Sequence, residues 1–500
     1  EGEFFGFHNN FNTEFNLHTN IGNLNFNGAI NNDLTIVPYP YYHASIHANN
    51  LNINKILDLK DEIITSIYLD LEGKGITIED ADLQVDLDVE KFTFNDNLLN
   101  NIHIDGDFEN QRLMASTNVN SDLIKLDLDA MVDVSEVIPS YDIEMNLKNI
   151  NLHNLDLTNQ EMSLSTKLSA QLKGLDIDKI YGNIYLSNTV LHKNDDNYVM
   201  DSLSLSLKEN IHNSKDVKLV CDFLDMDIIG IINFKHFENT FKNYVLNYYH
   251  VDKWARKGIR FKEQQQDFYV SLNLKETETL SRLLLPELTI SNNTNLTATF
   301  TSNNYQLYST IESDRITYND MVFNNLYMKN KTTNKKTTLS VNLSELIFKE
   351  NKDKNLITLG IDNVKLDFDA HNDSLLIDLS WNDDTEEDKN KGELSALFIP
   401  NGADSGKLYL SSSDMIINDT AWNISQGCYL DIKGSKLSFN NMNLYSNNQS
   451  VIVNGYFPAM SKDTLSVNFN NLDISAFDIL TSGIGINIDG FINGGLQVAG

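Results

Sequence analysis

Residue types that could carry chemistry are present in this chain but poorly spaced for it. His43 and His47 lie four apart, which on a helix would turn both imidazoles toward one metal ion. Here they flank a strand-like segment, so a structural role is the simpler reading. Cys221 and Cys428, in the contexts VCDF and GCYL, are too few for a disulfide framework and sit among apolar neighbours, as small core residues do. Neither CxxC nor HExxH occurs. Gly73-Lys-Gly75 and Gly483-Ile-Gly485 lack the remainder of a dinucleotide or phosphate loop. The charged run from Asn382 to Lys391 has neither the glycine nor the ligand spacing of a calcium loop and reads as a solvated loop tip. No Ser or Cys stands in a nucleophile elbow. The expectation is a protein that is not an enzyme and holds no cofactor or metal.

One stretch departs from the rest of the chain. Phe237, Phe241, Tyr244, Val245 and Tyr248 recur at i, i+4, i+7, i+8 and i+11, which predicts an amphipathic helical insert over 235–254 that buries one stripe against a sheet. The densest basic cluster follows it: Lys253, Arg256, Lys257, Arg260 and Lys262. It reads either as a docking site for lipid headgroups or a partner, or as a solvated helix end where cations are favoured. A second short helix is expected at Thr277–Leu285, closed by Pro286. The formal net charge of −32 repels phosphate backbones and anionic membrane faces, which argues against nucleic-acid binding.

Elsewhere apolar residues alternate with polar ones. Leu83, Val85, Leu87 and Val89 share one parity and Phe92 and Phe94 the other; a parity change without a turn implies a bulge. The longest clean run is Ile124, Leu126, Leu128, Ala130, Val132 and Val134. Val270 with Leu272, Leu366 with Phe368, Val451 with Val453, and Val467 with Phe469 repeat the pattern, as do Leu34 with Ile36 and the run Ile484–Ile488. Side chains two apart in a strand share a face, so each run has one apolar and one wet side. Hydrophobic residues make up 41% of the chain, enough to exclude disorder. Proline occurs six times, and the pair Pro38 and Pro40 marks a turn or edge. Asparagine is about one residue in seven, against an ordinary background, and suits turns and wet faces.

About thirty-five strands at ~4.8 Å would give a sheet on the order of 150–170 Å, too long to stay flat and open. Curled with its apolar face inward, it would form a trough about 10 Å across. Alternation equally describes a filled β-helix or a row of β-sandwiches. The candidate lining residues are Val85, Leu87, Ile124, Leu126, Leu128, Val270, Leu272, Leu366, Phe368, Val451, Val453, Val467 and Phe469.

Several segments resemble the TamB/AsmA-like (translocation and assembly module) family of Gram-negative bacteria. They are the opening at Trp422, SFNNMNLYSNNQSVIVNGYF, DTLSVNFNNLDISAFDIL, the closing IDGFINGGLQVAG, VKLVCDFLDMDIIGIINFKHFENTFKNYVLNYY and LLLPELTISNNTNLTATF. The resemblance covers most of the chain beyond about residue 60 and carries over no site residues. It implies an all-β, elongated, folded-over sheet (a β-taco, or open β-solenoid-like groove). The expected parts are a groove segment at 1–234, the helical insert with its basic tail at 235–262, and a second groove segment at 263–500. It further implies a periplasmic bridge segment that carries phospholipid acyl chains along a hydrophobic groove between inner and outer membranes. An outer-membrane barrel partner of the Omp85 type would bind outside this chain. The alternatives are a scaffold or chaperone in outer-membrane protein assembly, and a β-solenoid adhesin. No apolar run of about eighteen residues and no signal peptide is visible, and the chain opens at Glu1 and stops mid-pattern. The expectation is a piece of a longer protein with an inner-membrane anchor upstream.

Overall fold

The computed structural model describes residues 1–7, 10–32, 39–57, 63–94, 97–210, 213–248, 260–333, 336–349, 359–371, 374–383, 390–401, 404–411, 413–417, 419–458, 463–474 and 489–499. Contacts divide the chain into two units, Glu1–Ile211 with Asp216–Asp222, and His212–Lys215 with Phe223–Gly500. The division falls near residue 222, so the helical insert belongs to the second unit. The fold is all-β, and every strand pairing whose register is described is antiparallel, unlike a parallel β-helix.

In the first unit, thirteen strands from Gly2–Phe7 to Asp196–Glu209 follow one another, each paired with the next. Tight turns keep the order sequential. Asn110 and Gln111, both at positive φ (53° and 61°), join Asn97–Glu109 to Arg112–Asn120 as a two-residue hairpin. Register then sorts the side chains. Leu69 lies opposite Leu87, Leu87 opposite Ile104, Ile104 opposite Thr117, Thr117 opposite Leu128 and Leu128 opposite Met145. One residue along, Asp70, Asp86 and Asp105 form the matching row on the other face. A slip of one residue would exchange the two faces of a strand, so the pattern and the register enforce each other.

The rows are interrupted by a line of bulges. Between Ile67↔Val89 and Ser66↔Lys91 the register jogs and Glu90 is left over, which is the bulge expected from the parity change at 89–92. Equivalent jogs occur at Ala48/Leu51, Leu147/Ile150 and Ser165/Lys167. Asparagines in the left-handed region sit at such points, at Asn50 (φ 48°), Asn101 (φ 50°) and Asn188 (φ 51°). A bulge frees ladder groups and bends the strand. Small polar side chains take up the freed groups. Asn50 N donates to Ser66 Oγ (2.9 Å), Thr65 Oγ1 donates to Lys91 O (3.2 Å), and Ser121 Oγ donates to Leu98 O (3.4 Å). This polar seam accounts for part of the asparagine excess that composition alone assigns to turns.

The second unit repeats the scheme. Leu224–Ile231 pairs with Asp267–Leu274, and that strand with Thr294–Thr301. The order then follows the chain to Lys391–Pro400. There the sheet forks: Ala396–Pro400 pairs with Ser405–Leu410, while residues 391–393 pair with Asp414–Ile417. The branches rejoin on Lys436–Ser446. The seam continues through Asn325 (φ 48°), Asn363 (φ 45°), Asn441 (φ 52°) and Asn471 (φ 50°). Met415, Trp422 and Leu472 form a buried cluster beside the fork, and Cys428 is fully buried nearby.

A 3₁₀ turn at Phe234–His236 leads into the helix Phe237–Leu246, shorter than the expected insert. Trp254, Lys253, Arg256 and Lys257 lie outside the described residues, as do Leu34, Ile36, Pro38, most of the loop between Asn382 and Lys391, and the expected run Ile484–Ile488. The helix Glu278–Leu284 falls at the expected place, with Thr277 before it and Leu285 after.

The seam makes a backbone prediction. A left-handed φ costs an ordinary L-residue about 1–2 kcal/mol, and Asn188 has no described side-chain bond to add to that. Asn188→Ala should therefore lower stability by about 1 kcal/mol, while Asn188→Gly should hold the wild-type midpoint or exceed it. Urea unfolding of both variants checks this.

Candidate apolar binding face

All thirteen candidate lining residues lie on the apolar face of their strands. Val85 and Leu87 alternate with Gln84, Asp86 and Asp88; Ile124, Leu126 and Leu128 with Lys125, Asp127 and Asp129. Val270 lies opposite Ala298 and Leu272 opposite Leu296. Leu366 and Phe368 face Leu379 and Ile377. Val451 pairs with Phe469 and Val453 with Val467. Each of the thirteen is half-buried. They are brought onto one face within each unit, not into one pocket.

Burial across the first unit is graded. Beside the seam Ala48, Val89, Val119 and Leu147 are 1–9% exposed, whereas at the opposite strand ends Ile30 and Leu113 reach 36% and 39%. The apolar face is thus deepest at the bulge line and opens toward the turns. A wholly filled core would bury all its rows, and a flat sheet would expose them alike.

Rings on this face lie down against glycine. A Cβ added at Gly392 would sit 2.5 Å from the Trp381 ring, and one at Gly406 2.4 Å from the ring of Phe398. The missing side chains let these rings rest on the backbone of the neighbouring strand, which keeps bulk out of the space above. Gly392→Val should lift Trp381 off the floor and cost about 1–3 kcal/mol; denaturant unfolding and tryptophan emission check both parts.

The other face is wet and acidic. His103 Nδ1 lies 2.7 Å from Asp88 Oδ1 and 3.9 Å from Asp86, and Nε2 lies 2.9 Å from Asp105. Asp86, His103 and Asp105 bring donor atoms within 4.8 Å of one another, close enough for a metal ion. With both ring nitrogens already bonded to carboxylates, the arrangement serves as charge compensation for a row of aspartates directly opposite one another. The Asp88 hydrogen bond, aided by Asp105, raises the His103 pKa above its ordinary 6.5. Farther along, Ser135, through Oγ and N, and then Arg112 hold the Asp133 carboxyl at about 2. A raised histidine value means that the stabilisation is complete below pH 6.5 and fades as pH rises through the folded-state value. NMR titration should place the His103 midpoint above 6.5 and return it toward 6.5 in Asp88→Asn; an unchanged midpoint would remove Asp88 as the cause.

Sequence reasoning placed the apolar face but missed the seam. The parity break at 89–92 was the one trace it read as a bulge; the same change at Leu147/Ile150, Phe439/Met442 and Phe469/Leu472 also falls at register shifts. A pocket of about 620 Å³ beside Trp381, Met415 and Trp422, rimmed by Lys391, Glu393 and Asp414, was also not foreseen. Among the described residues no helix is long and apolar enough to cross a membrane. No family model, curated protein or solved structure matches this chain.

Proposed function

We propose that the apolar face is a groove for the hydrocarbon chains of phospholipids, and that the chain is a segment of a periplasmic lipid-carrying bridge of the TamB/AsmA-like kind. The observation that carries this reading is the largely aliphatic face that register carries across successive strands, with Thr117 as the polar member of one row and with burial graded from seam to open end. From Val132 at the open end to Leu126 beside the seam is six residues, about 20 Å of strand. That compares with about 15 Å for the hydrocarbon of one bilayer leaflet, half of the ~30 Å core. A lipid standing in the groove would put its tail ends at the seam and its headgroup at the open rim. Burial of apolar surface supplies the drive, at about 0.8 kcal/mol per fully buried methylene. A spread of similar aliphatic side chains gives no single deep well, as movement along a groove requires.

A photocrosslinker at Leu126 tests the reading. Capture of phospholipid, with several phospholipids per chain in organic extracts, is the expected result. Capture of polypeptide instead would favour an assembly scaffold, and a lipid-free protein would overturn the conduit.

A further inference from the structure

The helix Phe237–Leu246 lies on the apolar face itself. Phe237 packs on Phe268 (ring centroids 6.0 Å) and Tyr244 edge-on against Phe300 (5.8 Å), while Phe268 and Phe300 meet at 5.7 Å with their planes tilted by 43°. Phe268 and Phe300 are opposite one another in register and in the same column as Val270 and Leu272, on strands whose remaining apolar residues stay half-buried. Beneath the helix the two phenylalanines are 8% and 9% exposed.

Hydrogen bonds fasten the helix to the strand ends. Tyr244 Oη lies 3.0 Å from Thr332 Oγ1, and Tyr248 Oη shares its one proton between two carbonyls, Tyr305 O (3.0 Å) and Thr333 O (2.9 Å). On its other side the buried Asn243 donates to Phe261 O and Glu263 Oε2, both at 2.9 Å. The helix is unfinished for a permanent core element: Phe241 is 52% exposed, and Phe237 remains 43% exposed even against Phe268. A ten-residue helix is also too short to persist in water without its docking surface.

The geometry points to this helix as a built-in occupant of the groove, a gate whose aromatic stripe takes the place of an acyl chain over Phe268 and Phe300. The inference rests on the groove reading. Acyl chain and helix compete for one apolar surface, so lipid enters this stretch only when the helix leaves it. Tyr244 and Tyr248 are the latch, since their hydroxyls reach across to the 302–305 and 332–333 turns. The gate is local, and strands such as Ile124–Asp133 in the first unit should load without it.

Photocrosslinkers at Leu126 and at Val270, each with and without Tyr244→Ala/Tyr248→Ala, separate the possibilities in phosphatidylcholine vesicles. The expected result is strong lipid capture at Leu126 in both backgrounds. At Val270 capture should be weak in the wild type and rise at least fivefold when the latch is removed. Hydrogen exchange at 237–246 on the unmodified protein gives a reading independent of the variant's folding, and should speed up when the vesicles are added. Equal capture at Val270 with and without the latch, or helix exchange indifferent to lipid, would overturn the gate while leaving the groove standing. Absence of capture at Leu126 would remove the groove and the gate together.

Discussion

Antiparallel register is the constraint on which the rest of the structure depends. Each strand can present its apolar parity to one side only, and each neighbour must match it residue for residue. Leu87 opposite Ile104 and Asp86 opposite Asp105 are two expressions of the same pairing. Because most successive strands are neighbours in the sheet, the match is passed from strand to strand within a unit, and even Leu224–Ile231 and Asp267–Leu274 keep it across the stretch that carries the helix. The acidity of the protein follows from the same geometry. One face of each strand is wet, and carboxylates such as Asp70, Asp86 and Asp105 there keep that face solvated.

The bulge line marks where the apolar face is most sheltered. The rows beside Val89, Val119 and Leu147 are sheltered while Ile30 and Leu113 near the turns stay accessible, and a bulge is a device that bends a strand. The seam needs residues that tolerate a left-handed backbone and can satisfy freed amides, and asparagine, serine and threonine meet both needs. The glycines beneath Trp381 and Phe398 serve the same end by keeping the largest rings flat.

The period-two pattern made the strands and the apolar parity of the thirteen candidate residues legible in the sequence. Pro286 marked the end of the helix at Glu278–Leu284, and the Val89–Phe92 parity change marked a bulge. The aromatic stripe from Phe237 to Tyr248 announced a helix but not its seat on Phe268 and Phe300, because that contact joins residues far apart in the chain. The seam asparagines were hidden for a different reason. A left-handed φ is a property of the backbone in its paired sheet, and Asn101 or Asn188 reads no differently in the sequence from an asparagine in a turn. The cluster around His103 was equally silent, since it exists only once Asp88 and His103 are placed opposite each other.

Nitroxide scanning across single strands tests the groove most directly. Labels at Val85, Leu126, Val270, Leu366, Val453 and Val467 should be relaxed by oxygen, which partitions into apolar space, and shielded from a water-soluble nickel chelate. Labels on the alternate positions Asp86, Asp127, Lys365 and Asn468 should show the reverse. Inner labels shielded from both reagents would mean a core filled by its own side chains, and inner labels open to nickel would mean a bare sheet; either result would contradict the account.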